Sequence, residues 1–394
     1  MKRARRRLLA AGCLALATAA WASSLRLVYR PAEASVRPER GLSPRARALL
    51  TRQLALWGPG GLGPRERDRM RASNPEWDFM GRTFLVLALA NAALRDPAIE
   101  ARALDAIDRV IDDTLAAERA HGAYWFLLPY ARARPWVYRE GQSVFVDGEL
   151  AMMLAARRLL RESPTYRAEQ RARLARAAAQ MRAGPVLSAE SYPDECWTFC
   201  NTVALAALRL GDALDGTDHR PLAAAWVAAA RARLVDRRTG LLVSSYALDG
   251  RVKDGPEGSS IYMAAHDLAL VDPAFARDQY ERARRALNGE VLGFGYAREW
   301  PRGAGAQVDI DSGPTVPFLD ANAGASGMAL LGAGAFDDRA TLAGLVASLD
   351  LAAFPIEDAG GLRYAASNAV GDAVLLYALV EGPLWARARE RLAP

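Results

Sequence analysis

The sequence predicts an all-α fold in which helices pair into hairpins and six hairpins close into an (α/α)6 barrel. Three observations predict it. Apolar residues recur at three- and four-residue spacing through most of the chain, in segments rich in Ala, Leu and Arg. Several pairs of these segments are joined by only a few residues, which makes those helices antiparallel neighbours. Strand-like stretches are scarce, the run Leu241-Leu242-Val243-Ser244-Ser245-Tyr246 being the clearest.

In chain order the helical patterns fall at 45–56, 79–94, 97–118, 144–161, 166–180, 197–212, 219–234, 259–270, 273–288, 321–332, 338–349 and 370–391. Arg95-Asp96-Pro97, Ser163-Pro164-Thr165, Asp215-Gly216-Thr217, Asp272-Pro273 and Asp337-Asp338 punctuate them. Four of them combine Gly or Pro with an Asp, Ser or Thr suited to capping the next helix, and the fifth is a pair of aspartates that can cap.

Residues 1–22 read as an export signal or an N-terminal membrane anchor. Lys2, Arg3, Arg5, Arg6 and Arg7 precede a short apolar stretch from Leu8 to Ala20, and Ala20-Trp21-Ala22 fits a small-x-small cleavage site. Residues 23–44 form a Pro/Arg-rich spacer, and 45–394 a single barrel domain without a linker. A periplasmic or secreted location follows, with inner-membrane anchoring as the variant in which the signal is retained. The chain carries 51 Lys+Arg against 45 Asp+Glu, and removing the five basic residues of the signal leaves 46 against 45. A near-neutral mature domain lacks the basic face that nucleic-acid binding needs. A small-molecule substrate is the expected partner, and self-association is left open.

Acids and aromatics concentrate in loops or just before helices: Asn74-Pro75-Glu76-Trp77-Asp78-Phe79, Pro135-Trp136, Ser191 to Trp197, Asp254 to Ser260, Arg298-Glu299-Trp300-Pro301, and Asp309 to Pro314. A ring of hairpins gathers such loops at one mouth, where pockets form. Helix capping explains any one of these acids equally well.

From Asp194 onward the sequence resembles the linalool dehydratase-isomerase family. Cys200-Asn201-Thr202-Val203-Ala204 carries the resemblance most strongly. Leu214 to His219, Leu234-Val235-Asp236, Thr239-Gly240, Ser245-Tyr246, Val252-Lys253 and Asp272-Pro273-Ala274-Phe275 continue it, with weaker echoes at Tyr138 to Leu150, Asp309 to Gly313 and Leu362-Arg363-Tyr364. The resemblance implies an exported (α/α)6 barrel that acts on monoterpene alcohols without a cofactor, adding or removing water and shifting an allylic hydroxyl. Of the family's two site cysteines, Cys200 matches the second and Ser191 stands at the first; Cys196 is an addition. A family histidine falls at Glu149, and Tyr246 matches a family tyrosine. The family's N-terminal acid and tyrosine have no clear counterpart, with Asp78 in the right region.

Read as chemistry, Cys196 and Cys200 are the only cysteines beyond the signal. On one helix at i, i+4 they would face the same side, a geometry poor for a disulfide; a site-lining thiol, a buried structural cysteine and a disulfide stay open. No His spacing suggests a metal, and none is expected. Glu149 interrupts an apolar helix, where burial would raise its pKa into the range of a general acid or base. Asp309 and Asp311 pair in a Gly-flanked loop, either as site carboxylates or as a turn. Glu257 reads first as a helix cap and second as a site acid. His266 reads as a core histidine. Two functions follow, beside a blander alternative, a membrane-tethered protein with no catalysis. The first is a cofactor-free hydro-lyase or isomerase using Glu149, Cys200, Tyr246 and an acid of 309–311 on an apolar alcohol or alkene, with Asp78, Trp77, Ser191, Cys196, Trp197, Glu257 and Trp300 shaping its pocket. The second is a glycoside hydrolase or sugar-binding toroid, with paired carboxylates and stacking tryptophans.

Overall fold

The computed structural model describes residues 2–58, 63–138, 142–304, 312–313 and 315–393. Its helices are α1 (Lys2–Tyr29), α2 (Glu33–Val36), α3 (Pro44–Leu56), α4 (Gly63–Ser73), α5 (Pro75–Arg95), α6 (Glu100–His121), α7 (Val144–Leu160), α8 (Pro164–Ala183), α9 (Thr198–Asp215), α10 (Arg220–Arg233), α11 (Gly258–Leu268), α12 (Pro273–Leu287), α13 (Ala323–Ala335), α14 (Arg339–Ala352), α15 (Ala369–Val380) and α16 (Pro383–Leu392). Their starts follow the capping chemistry of the sequence. Ser43, Asn74, Ser143, Asp272, Asn322, Asp338 and Asn368 each accept a first-turn N–H at an N-cap, and Pro44, Pro75 and Pro273 open the helices behind three of these caps.

Helices α5, α7, α9, α11, α13 and α15 pack in succession, and α15 closes back on α5. This closed inner ring confirms the (α/α)6 barrel. Outside it, α6 lies against α5 and α7, α8 against α7 and α9, α12 against α11, and α14 against α13. The segment α10 follows α9 and buries Trp226. The sixth outer position is filled by α3, which packs on α15. The sequence suggested one helix over 370–391, but Gly382 at φ +118° followed by Pro383 ends α15, and the chain turns into α16. There α16 crosses the far end of the ring and contacts α5, α7 and α9. It is fixed by Leu384 N–H on Asn91 Oδ1 (3.0 Å) and by Arg387 on the carbonyls of Leu159 and Leu160. The opposite end carries the helix N-termini and stays open.

Among the described residues sheet is confined to small antiparallel patches between helices. Strands β1 (Cys196–Trp197), β2 (Ser245–Tyr246) and β3 (Val252–Asp254) form one of them. The hairpins β4 (Asn288–Val291) with β5 (Phe294–Ala297), β6 (Thr315–Val316) with β7 (Ala321–Asn322), and β8 (Pro355–Asp358) with β9 (Gly361–Tyr364) make up the rest. The N-terminal apolar segment is one helix, long and apolar enough over Arg3–Tyr29 to cross a membrane, and its most apolar stretch is not buried in the domain. Only its end docks, through Tyr29 against Phe294 and Arg30 on the carbonyls of Gly293 and Ala340.

Small residues allow the inner helices to approach closely. A Cβ on Gly334 of α13 would meet the Ala378 carbonyl oxygen of α15 at 2.6 Å, whereas a Cβ on Gly327 of the same helix meets no atom of the described residues within 4 Å. Two substitutions in one helix should therefore have opposite signs. Gly327→Ala should raise stability by about 0.5–1 kcal/mol, the helix-propensity gain. Gly334→Ala should lose about 1–3 kcal/mol to overpacking. Denaturant midpoints of the two variants check both signs.

Candidate functional site

The site begins with the Asn74-Pro75 cap. Asn74 Oδ1 accepts from the N–H groups of Glu76 (2.9 Å) and Trp77 (3.1 Å), which fixes both side chains in the first turn of α5 at the open end of the ring. Glu76 and Met80, four apart, face inward. Asp78 lies two residues on and faces the other way, where Arg82 Nε donates to it at 3.3 Å. Sequence reasoning placed Asp78 at the mouth; helical phase puts Glu76 there instead.

A hollow of ≈ 60 Å³ opens among these N-termini. Glu76, Trp77 and Met80 of α5, Trp197, Phe199 and Cys200 at the start of α9, Glu257, Ser259, Ser260 and Met263 at the start of α11, and Tyr130, Tyr192 and Ser312 line it. The Tyr192 phenol donates to Glu76 Oε1 and accepts from the Leu128 N–H at 2.9 Å. Burial, then the Glu76 charge, holds this phenol in its neutral form far above the ordinary tyrosine range. Tyr130 stacks on Tyr192 with centroids 4.5 Å apart. Glu195 then ties the rim together. It accepts from Trp197 Nε1 (2.7 Å) and Tyr130 Oη (3.0 Å), and pairs with Lys253 (3.3 Å), one of only two lysines in the chain.

Cys200 sits at the floor of the hollow, and burial pushes its thiol well above the ordinary cysteine range. The start of a helix would favour thiolate; here desolvation wins. Ser191 stands within hydrogen-bond reach of the thiol and opposes the shift. Cys196 lies in β1, because Trp197 is extended at φ −91°, ψ 132° and α9 begins only at Thr198. The two cysteines are therefore not one helical turn apart, as the sequence suggested. Both are free, and Cys196 is buried off the hollow.

Glu149 is 3 % exposed and lies one turn further into the barrel than Phe145 of the same helix, about 6 Å at 1.5 Å per residue. The ring of Phe145, the residue one turn nearer the mouth, packs on Phe79 (5.2 Å) and Phe199 (6.0 Å). Burial pushes the Glu149 carboxyl up to about 8, and the charge of Asp267 adds to this. Thr83 opposes the shift from close by, without the geometry of a full hydrogen bond. Asp147 faces outward to Arg173 (3.0 Å) and Arg176 (2.7 Å). Deeper still, His266 Nδ1 contacts Asp267 (2.9 Å), and its Nε2 contacts Tyr377 Oη (2.7 Å) and Glu381 (3.2 Å). These acids raise the imidazole to about 10 against the opposing effect of burial.

Several expectations are corrected. Tyr246 faces away from the hollow: it is fully buried and shares a 2.8 Å hydrogen bond with Ser188, which also accepts from Trp226 Nε1. Ser191 acts behind Cys200, its hydroxyl accepting from the Trp197 N–H (3.1 Å). Trp300 does not line the hollow. Asp309 and Asp311 lie outside the described residues. Trp77, Trp197, Cys200 and Glu257 are brought together, and Glu257 occupies the N-cap of α11 without a side-chain capping bond. Sequence reasoning missed Glu76 and Tyr192 as site residues, although both stand in the loops it singled out. Among the described residues no cluster of His, Cys, Asp and Glu is arranged to hold a metal.

Ring and mouth together define a class, an (α/α)6 toroid whose pocket opens among the N-termini of its inner helices. Within it, the chain belongs to the linalool dehydratase/isomerase family, whose sequence profile matches residues 147–370. The fold is also similar to that of the unsaturated glucuronyl hydrolase, responsible for glycosaminoglycan degradation, of Bacillus sp. GL1. That likeness has 13 % identity over 85 % of this chain and 96 % of that one, with a TM-score of 0.52. A GH76 α-mannanase of Bacteroides thetaiotaomicron gives 14 % identity over 80 % and 86 %, with a TM-score of 0.48.

Because the folded-state pKa of Glu149 is raised from 4.5 to about 8, the native protein holds a proton that the unfolded chain releases. Stability tied to this group is present below about pH 4.5 and is lost as pH rises toward 8. Glu149→Gln removes that loss. Urea unfolding of both proteins at pH 5 and pH 8 should show the stability difference moving in favour of the variant by several kcal/mol as pH rises; a constant difference would contradict the burial argument.

Proposed function

We propose that the chain is an exported hydro-lyase or isomerase that eliminates or adds water at an apolar alcohol or alkene of terpenoid type by acid–base chemistry. The observation that carries this reading is the meeting of Cys200, the Glu76–Tyr192 pair and Glu257 in one aromatic hollow. Family membership supports the reaction class.

Elimination needs an acid at the departing oxygen and a base at the neighbouring carbon. In this reading the substrate hydroxyl lies between the neutral Cys200 thiol and the Glu76–Tyr192 pair. A proton from the thiol side joins the departing hydroxyl, the C–O bond breaks, and water leaves. Glu257 takes the proton from the adjacent carbon, and the electrons of that C–H bond become the new double bond. Proton return to Cys200 and loss from Glu257 to solvent complete the cycle; water addition runs the same steps backward. Glu149, protonated at neutral pH, keeps the region behind Cys200 uncharged and stands as its proton reserve. The aromatic walls exclude bulk water from the cationic carbon and offer it π-faces. Helix α1 serves as export signal or retained anchor, placing the barrel outside the inner membrane.

A glycosidase reading draws on Glu76 and Glu257 facing one hollow beside Trp77 and Trp197. Linalool, geraniol and myrcene followed by gas chromatography, beside oligosaccharides followed by reducing-end release, separate the two. Interconversion of the terpenes is expected; sugar release without terpene turnover would overturn the proposal. Given turnover, Cys200→Ala and Glu257→Gln should each lower kcat by at least ~100-fold with the fold retained by circular dichroism. The rate should also fall on the alkaline side near pH 8, the value to which Glu149 is raised, and that limb should disappear in Glu149→Gln.

A further inference from the structure

The reactive hollow has a neighbour. A second hollow of ≈ 430 Å³ adjoins it at the mouth, and Trp77 and Ser312 border both. The first, at ≈ 60 Å³, has room for only a few water-sized groups, since one water needs about 10–15 Å³ by this measure. The second is walled by the starts of α13 and α15 and the end of α4. Met70, Trp77, Met328, Val370 and Val374 supply its apolar surface, while Ser73, Asn74, Ser367 and Asn368 stand along its polar side. Met328 and Val374 are almost wholly buried, so the apolar part lies deep. The polar residues are already engaged in shaping the wall: Asn74 caps α5 and Asn368 caps α15. One position keeps the space open. Gly327 of α13 lines the hollow, and a Cβ there meets no atom of the described residues within 4 Å. A glycine inside a helix is unfavourable relative to alanine, and no close packing accounts for this one.

We infer that the second hollow is the chain-length subsite, which receives the apolar tail of an alcohol whose hydroxyl end sits in the Cys200 hollow, with Trp77 as the partition the chain passes. The assignment of the hydroxyl end rests on the proposed function; the length selection rests on the two hollows and Gly327. The substrate class is then an amphipathic alcohol with a chain too long for the first hollow. Gly327 determines specificity by leaving its volume to the ligand. The Cβ of a larger residue there has free space around it, and leucine is a better helix former than glycine.

The test is equilibrium binding of a homologous series of straight-chain primary alcohols to the full chain, followed by tryptophan fluorescence. Wild type, Gly327→Leu and Gly327→Ala are compared, with thermal unfolding confirming that each is folded. In the wild type, affinity should rise roughly fourfold per added methylene beyond the length the first hollow accommodates, the value of one buried CH2. Gly327→Leu should bind short alcohols as the wild type does and lose the further rise; Gly327→Ala should shorten it by about one methylene. An unchanged length dependence in Gly327→Leu, or no rise with length in the wild type, overturns the inference. Length-dependent binding without turnover of any unsaturated alcohol would sink the lyase reading and leave the subsite standing. Failure of every alcohol to bind would sink both.

Discussion

Closure of the inner ring is the constraint on which the rest depends. Six helices packed edge to edge have no solvent side, so α7 and α15 are buried almost throughout and their sequences read as nearly continuous apolar runs. Closure requires the backbones to approach, which Gly334 permits against Ala378 and Gly81 against Val370. It also sends all the inner N-termini to one end. The partial positive charges and first-turn N–H groups of α5, α9 and α11 therefore meet around one hollow, and acids on those turns are electrostatically welcome there. The opposite end is occupied by α16 with its hydrogen bonds to Asn91 and to the last carbonyls of α7.

Depth along the barrel sorts the titratable groups. At the rim, Glu195 is half-exposed and satisfied by Lys253, Trp197 and Tyr130. At the floor, the Cys200 thiol loses solvation and stays neutral although it opens a helix. Further into the barrel, Glu149 has no cation beside it comparable to the Arg173 and Arg176 pair that neutralises Asp147 two residues away, and desolvation dominates. Lower still, His266 is surrounded by Asp267 and Glu381, so charge pairing outweighs burial and the imidazole is held protonated. Two acids in one helix, Asp147 and Glu149, thus differ because helical phase gives one to α8 and the other to the barrel interior.

The departures from the family pattern are physically coherent. An unperturbed histidine titrates near neutrality; a glutamate reaches that range by losing solvent, and Glu149 has lost nearly all of it. Ser191, which the resemblance sets at the position of a family cysteine, reaches Cys200 with a hydroxyl that supports the sulfur. Glu76, hydrogen-bonded by Tyr192 from a different segment of the chain, supplies an acid from the N-terminal part of the chain to the hollow.

By itself the sequence determined the helical segments, their caps, the apolar N-terminal helix and the family. Each of these rests on local chemistry: a 3.6-residue period, an Asn-Pro or Asp-Pro start, or a contiguous motif such as Cys200 to Ala204. It also indicated several of the loops that line the candidate hollow, because acids and aromatics beside helix starts stand out against an Ala/Leu background. The tertiary structure decided which residue in each loop faces inward. Glu76 replaces Asp78 because the ring fixes the rotation of α5, and Tyr246 turns to Ser188 and Trp226 because β1–β2 pairing points it outward. The break at Gly382, which a purely periodic reading runs through, resolves only when α16 has the ring's far end to cover. Pairings such as Glu76 with Tyr192 join residues 116 positions apart, and no local pattern encodes a contact that exists only after the ring has closed.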